Sequence, residues 1–419
     1  MALLDERRPL ETLKQVDAAT CVRWASIFIL TACAVYVYFN RYGHLQQLID
    51  QNGWLNVWFW DAKVFANGGE HVAFGRNPYT ELPHDIPYHK LPFISAPIVA
   101  RFLGGLYILL GTHLNTALQL AHLVAIVAAP LILTRLFLGK TWSDAALGYA
   151  LFLAGIGAFG VTTVIAGNFG AVLYLAIFAG LAHGLTKKDW FWYHIALILA
   201  VQVKFPYALL WIVPVLVNGW SWAELRNSIV AALAAAVILA VTSYIDPVYF
   251  RSWIDALTIQ VNGTGDLGFS IFGVTRWMVG LDVQSILPYA LHIAFCLPLL
   301  VFLMLDPTKG PMKAAALVVF AILANPRMKE YDIAFATIPT ATLLLHAFAR
   351  YAPRPHKTAI ALAGLLATML IDLKLDRLID AYVYPLTMAL AVLSLWVIRN
   401  DPERHSPVVP VRFFDRRTD

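Results

Sequence analysis

Apolar runs of bilayer length recur from one end of this chain to the other. They lie near residues 22–40, 115–138, 142–160, 165–186, 227–246, 285–305, 312–325, 333–349, 357–373 and 379–398. A helix needs about 20 apolar residues to cross the hydrocarbon of a bilayer. Lipid offers backbone groups no hydrogen-bond partners, so each run must satisfy its own. The chain therefore reads as an all-α polytopic membrane protein. Its apolar fraction of 59% and charged fraction of 14% agree, since soluble domains run about 45–50% and about 25%. No separate soluble domain is visible. Residues 1–400 are expected to form one integral-membrane domain, with 401–419 as a polar cytoplasmic tail.

Two segments break the pattern. Residues 190–218 are too long for one crossing and too short for two, and Lys204-Phe205-Pro206 interrupts them. Proline removes a backbone donor and disfavours helix in the residue before it. Two half-helices meeting at Lys204 are expected. Broken helices persist at membrane depth only where they are buried in protein or line a cavity. Residues 92–111 hold Pro92, Pro97 and Arg101. Apolarity leaves open whether they cross, re-enter or lie in the interface.

Lysine and arginine collect in cytoplasmic loops. That rule places Arg135 with Lys140, Lys187-Lys188, Arg226, Lys309 with Lys313, Arg350 to Lys357 and everything from Arg399 on the cytoplasmic side. Gly167-Asn168, Asp246 to Asp282, Asn325 to Asp332 and Asp372 to Asp380 then face outward. Arg7, Arg8, Lys14 and Arg23 precede the first run, which no small-residue cleavage site ends, so an uncleaved first span is expected. The net charge of +5 follows from this topology. No clustered basic face suggests nucleic acid, and the basic tail from Arg404 to Arg417 suits anionic lipid. Cys21, Cys33 and Cys296 share no metal or disulfide spacing.

The polar stretch 41–91 follows the first run and needs a reason to be there. It holds Trp58-Phe59-Trp60-Asp61, then Gly68-Gly69 and the turn Asn77-Pro78-Tyr79. A carboxylate beside apolar and aromatic surface resists ionisation, which suits a general base. Asp61 would serve equally as a capping acid or a partner for Lys63 or Lys90. His71, His84 and His89, at spacings of 13 and 5, fit no zinc pattern, and no metal or other cofactor is expected. Lys204, inside an apolar stretch, can hold a phosphate as a point charge or snorkel to the interface. Asn325-Pro326-Arg327-Met328-Lys329-Glu330-Tyr331-Asp332 places four charges between two apolar runs. Arg327 and Lys329 can clamp a phosphate, or the segment can be a loop of internal ion pairs. The outer segment 247–284 is rich in aromatics, including Trp253, Phe269, Phe272 and Trp277, as an interfacial belt or a sugar platform would be.

The order of these features resembles glycosyltransferase family 87, integral-membrane GT-C enzymes that include polyprenol-phosphate-mannose-dependent mannosyltransferases. The resemblance runs from about residue 20 to about residue 350. It is carried by Asp61 with Gly68-Gly69 and Asn77-Pro78-Tyr79, the Gly167-Asn168 break, Lys204-Phe205-Pro206, Ser270-Ile271-Phe272-Gly273, and Asn325-Pro326-Arg327 with Tyr331-Asp332. It implies a GT-C-type bundle of about 11–13 transmembrane helices with a large first outer loop. It further implies Asp61 as general base, Lys204, Arg327 and Lys329 around the donor phosphate, and Trp58, Tyr79, Asn168, Tyr331 and Asp332 around the substrates. The implied donor is a polyprenyl-phosphate sugar, mannose first, and the implied acceptor a lipid or glycan. The implied place is the outer face of a bacterial cytoplasmic membrane. Three positions depart from the family. Asn168 stands where many relatives have Gly-Gln, Leu91-Pro92-Phe93 replaces Tyr-Pro-Pro, and Tyr331-Asp332 replaces a frequent histidine. The last two bear on which sugar and acceptor are used.

Two other readings suit the same residues. A secondary transporter or lipid-linked-sugar flippase would explain the broken helix and the intramembrane lysine, and should show inverted repeats; none is visible. A non-catalytic assembly protein would leave Asp61 freely replaceable.

Overall fold

A computed structural model describes residues 18–80, 93–263, 268–279, 286–348 and 377–400. These residues form helices joined by turns, with no strand among them. The helices are α1 (Ala18–Tyr42), α2 (Gln46–Asn52), α3 (Trp54–Val57), α4 (Trp60–Ala73), α5 (Pro97–Leu110), α6 (His113–Phe137), α7 (Trp142–Ala154), α8 (Phe159–Ala166) and α9 (Gly170–Lys187). They continue as α10 (Phe191–Val203), α11 (Ile212–Leu216), α12 (Trp222–Ile245), α13 (Pro247–Gly263), α14 (Ile271–Val279), α15 (Ile286–Leu305), α16 (Pro311–Leu323), α17 (Glu330–Phe348) and α18 (Arg377–Arg399). The run at 357–373, Lys90, His84, His89 and the tail 401–419 lie outside the described residues.

Among the described residues, five helices are long and apolar enough to cross a membrane: Cys21–Tyr42 within α1, then α6, α9, α12 and α15. The bent pair α7–α8 makes a sixth if it is one span. The protein is an all-α polytopic membrane protein. Outward faces of α1, α12 and α15 expose Phe28, Phe39, Val237 and Ile293, as surfaces solvated by lipid can.

The bundle is organised around α17, which packs against α6, α7, α8, α9, α16 and α18. Every residue from Asp332 to Leu343 is buried. Two of its threonines bond within the helix: Thr337 donates to Ile333 O at 3.1 Å and Thr342 to Ile338 O at 2.9 Å. Neighbouring α16 is buried from Lys313 to Leu323. Lys313, read from sequence as a loop cation, is 1% exposed. Its ammonium donates to Leu303 O at 2.5 Å and Asp306 O at 2.9 Å, satisfying carbonyls at the end of α15.

Two departures from the apolar pattern matter. The run expected as one span at 142–160 bends by 69° between α7 and α8. The cause is Gly155–Ala158, where Gly157 takes φ +65° and Ala158 φ +51°. A Cβ on Gly160 would stand 1.9 Å from Phe152 O, so only glycine lets the chain fold back this tightly. The described part of the polar stretch after α1 carries the helices α2, α3 and α4, and α4 forms a hairpin with α5. Gly69 and Gly104 set its closeness, since a Cβ would meet Leu103 O at 2.7 Å or Val72 Cγ1 at 2.5 Å. With 14 residues, α5 is only about 21 Å long, short of the about 30 Å of hydrocarbon. Among the described residues, α5 therefore counts with the shorter apolar helices and not with the candidate spans.

Candidate functional site

The site starts from a strained joint. Phe59 precedes α4 with φ +61°, left-handed and unusual for an aromatic residue. Its N–H donates to Ile165 O at 2.7 Å, and its ring is fully buried. Gly167, at φ +68°, fits beneath it; a Cβ there would stand 2.5 Å from Phe59 Cα. This approach sets the first turn of α4, with Asp61, against the turn between α8 and α9. Gly167→Ala should therefore be costly: left-handed strain alone is about 1–2 kcal/mol, and the backbone clash adds to it. A lowered Tm in detergent is the expected result.

Asn168 completes the joint. Its Oδ1 accepts from Gly170 N–H at 2.7 Å, so its amide has one orientation, and Nδ2 donates to Asp61 Oδ2 at 2.6 Å. The carboxyl is partly open, yet closely surrounded by protein. Burial pushes it up to about 6 from the ordinary carboxylate range. The Asn168 bond pulls it down, Glu330 pushes it up, and Lys329 and Lys204 pull it down.

A second joint lies alongside. Lys204 is extended, φ −150°, between α10 and the 3₁₀ stretch Phe205–Trp211, so the two expected half-helices do meet there. Its ammonium is ion-paired and hydrogen-bonded to Asp332 Oδ2 and lies 4.7 Å from the Tyr331 ring centroid. Asp332 is 1% exposed, and its remaining oxygens are well supplied. Tyr174 OH donates to Oδ1 at 3.1 Å, and Lys329 N–H to Oδ2 at 3.1 Å. Asn325 Oδ1 accepts from Arg327 N–H at 2.9 Å, the turn that asparagine forms with the backbone two residues on. Phe269 N–H donates to Met328 O at 2.8 Å, and Ser270 Oγ to Pro326 O. The 268–270 turn thereby braces the segment from outside. The side chain of Arg327 is half-buried and makes no hydrogen bond or ion pair among the described residues.

The structure thus brings Asp61, Asn168, Lys204, Lys329, Tyr331 and Asp332 into one cluster. Two candidate residues are placed otherwise. Trp58 meets Tyr38, Trp54 and Phe59 edge to face at centroid separations of 5.8–6.2 Å. Tyr79 is committed to the α4–α5 hairpin: its hydroxyl donates to Ser95 O at 2.9 Å, and its ring packs on Phe93 and Tyr249. Asp332 is an internal partner of Lys204 rather than a group turned toward a ligand. The sequence reading missed Tyr174 and His122, whose Nδ1 is 3.2 Å from Asn168 O. Both are polar residues in long apolar helices, a pattern that usually marks an internal partner. Among the described residues, no group of three His, Cys, Asp or Glu could hold a metal.

No family model matches the chain, and no curated protein matches its sequence.

Proposed function

We propose that the protein is an inverting glycosyltransferase of the GT-C type, related to family 87. It moves a monosaccharide, mannose first, from a polyprenyl phosphate to a lipid or glycan acceptor. The proposed site faces outward from a bacterial cytoplasmic membrane, where the donor's lipid lies in the bilayer and its sugar reaches Asp61. The observation that carries the reading is Asp61 itself, a carboxylate in the first turn of α4 held by Asn168 Nδ2 at 2.6 Å, in the field of Lys329 and Lys204 and raised by burial to about 6.

In the proposed reaction the acceptor hydroxyl gives its proton to Asp61. Its oxygen bonds to the anomeric carbon on the face opposite the phosphate. The anomeric carbon–oxygen bond breaks, its electron pair leaves with the lipid phosphate, and the configuration inverts. Charge grows on that phosphate, and preorganised cations are the usual stabilisers of such growth. Arg327 and Lys329 are the proposed stabilisers, and Lys204 is already balanced by Asp332. Lys204 then orients the cluster and adds only part of its field. A lipid phosphate leaves without a nucleotide, so one carboxylate base is sufficient.

The pH dependence follows. Asp61 must be ionised to accept a proton, so transfer should rise with pH through about 6. Asn168 bonds the charged form. Asn168→Ala should therefore move this acid limb upward by about one unit, the equivalent of one charge-assisted hydrogen bond. Rate–pH profiles of both proteins test it, and an unmoved limb would count against Asp61 as the titrating base.

The buried Lys204–Asp332 pair favours one other reading, a transporter with a charge-paired discontinuous helix. Proteoliposomes distinguish the two. A transporter moves labelled lipid-linked sugar between leaflets and leaves it chemically unchanged; a transferase consumes it.

A further inference from the structure

We propose that His122, on α6, is a positioning residue that holds the Asp61 carboxyl in place through Asn168. The inference rests on Asp61 being the base of the proposed reaction, although its test does not require activity. A carbonyl oxygen only accepts, so the 3.2 Å contact between His122 Nδ1 and Asn168 O requires the proton on Nδ1. His122 is 1% exposed and its ring lies edge to face on Phe59, centroids 5.6 Å apart. It therefore grips both sides of the joint: the residue that starts α4, and the turn that carries Asn168.

The linkage is directional. His122 fixes the Asn168 main chain, Gly170 N–H fixes the Asn168 side-chain oxygen at 2.7 Å, and the amide left over reaches Asp61 at 2.6 Å. With the amide turned over, its oxygen would face the carboxylate, which repels it, and its nitrogen would face Gly170 N–H. The other charged groups facing Asp61 are Glu330, Lys329 and Lys204. They come from the Asn325–Asp332 segment and the α10 break, neither of which His122 touches through a hydrogen bond. Its hydrogen-bonded route to Asp61 therefore runs through Asn168, while its ring contact with Phe59 is one that leucine can largely replace.

The test follows Asp61 directly. A hydrophobic carbodiimide labels protonated carboxyls, and peptide mass spectrometry of the full-length protein in detergent gives the pH at which labelling of Asp61 is half lost. His122→Leu should move this midpoint upward by about half a unit to one unit, as the Asn168 bond to the charged form weakens. His122→Asn, which can place an amide N–H near Nδ1, should restore most of it. In an Asn168→Ala background, His122→Leu should add nothing further, because coupled residues do not add. An equal shift in both backgrounds, or none in either, would overturn the linkage. If the midpoint moves as expected while the protein transfers no sugar, the linkage stands and the catalytic reading falls.

Discussion

Asp61→Asn should lower sugar transfer by about 10²–10⁴-fold, the usual contribution of a general base, while leaving the fold intact. The amide occupies the same volume at the start of α4, and its oxygen can still accept from Asn168 Nδ2, now at 2.6 Å from the carboxylate. What it loses is proton affinity. Asp61→Glu keeps a base but moves it by a methylene, and should retain more activity than the amide. Donor binding, measured by protection of the protein against thermal unfolding, should survive in both. Wild-type rates in the amide variant would take Asp61 out of the chemistry.

Lys204→Met should be the most destabilising single change in the cluster. It leaves Asp332, 1% exposed, without its counter-ion. Breaking a buried pair by removing one partner costs about 3–5 kcal/mol, because the remaining charge is uncompensated. The remedy is specific. Adding Asp332→Asn removes the stranded charge; the amide oxygen can still accept from Lys329 N–H, and the amide nitrogen can donate to the Tyr174 hydroxyl, which accepts as well as donates, each now 3.1 Å from the carboxylate. The double variant should recover most of the lost Tm. If Lys204 also shapes the donor site, the double variant will be folded and still slow. A single variant as stable as wild type would show that Asp332 is not held as an isolated buried charge.

The membrane class was legible because bilayer-length runs leave few alternatives, and the half-helix break was legible at Lys204-Phe205-Pro206. Other features depend on contacts distant in sequence. Gly157 and Gly160 looked like ordinary small residues of a span until the Phe152 carbonyl and the Tyr384 ring are placed beside them. Gly69 and Gly104 lie 35 positions apart, and their shared role exists only once α4 packs on α5. Asp61 drew notice from its aromatic neighbours in sequence, yet its hydrogen-bond partner is Asn168, 107 residues away. Lys204 and Asp332 were each singled out as ligand-facing charges. Separated by 128 residues, they gave no sign of being partners. Tyr79 is a different case: a polar aromatic in a turn motif invited a substrate role, and its hydroxyl and ring are bonded and packed within the α4–α5 hairpin.

One measurement bears most directly on the proposed chemistry. Purified wild-type protein and Asp61→Asn would be incubated, at a pH well above 6, with polyprenyl-phosphate mannose radiolabelled in the sugar and with a membrane extract as the source of acceptor. Label passing from the donor to a new glycosylated product with wild type, and about 10²-fold or more slowly with the variant, is the expected result. Label remaining wholly on the donor with wild type, across the common lipid-linked sugars as well as mannose, would contradict sugar transfer as the function of this site.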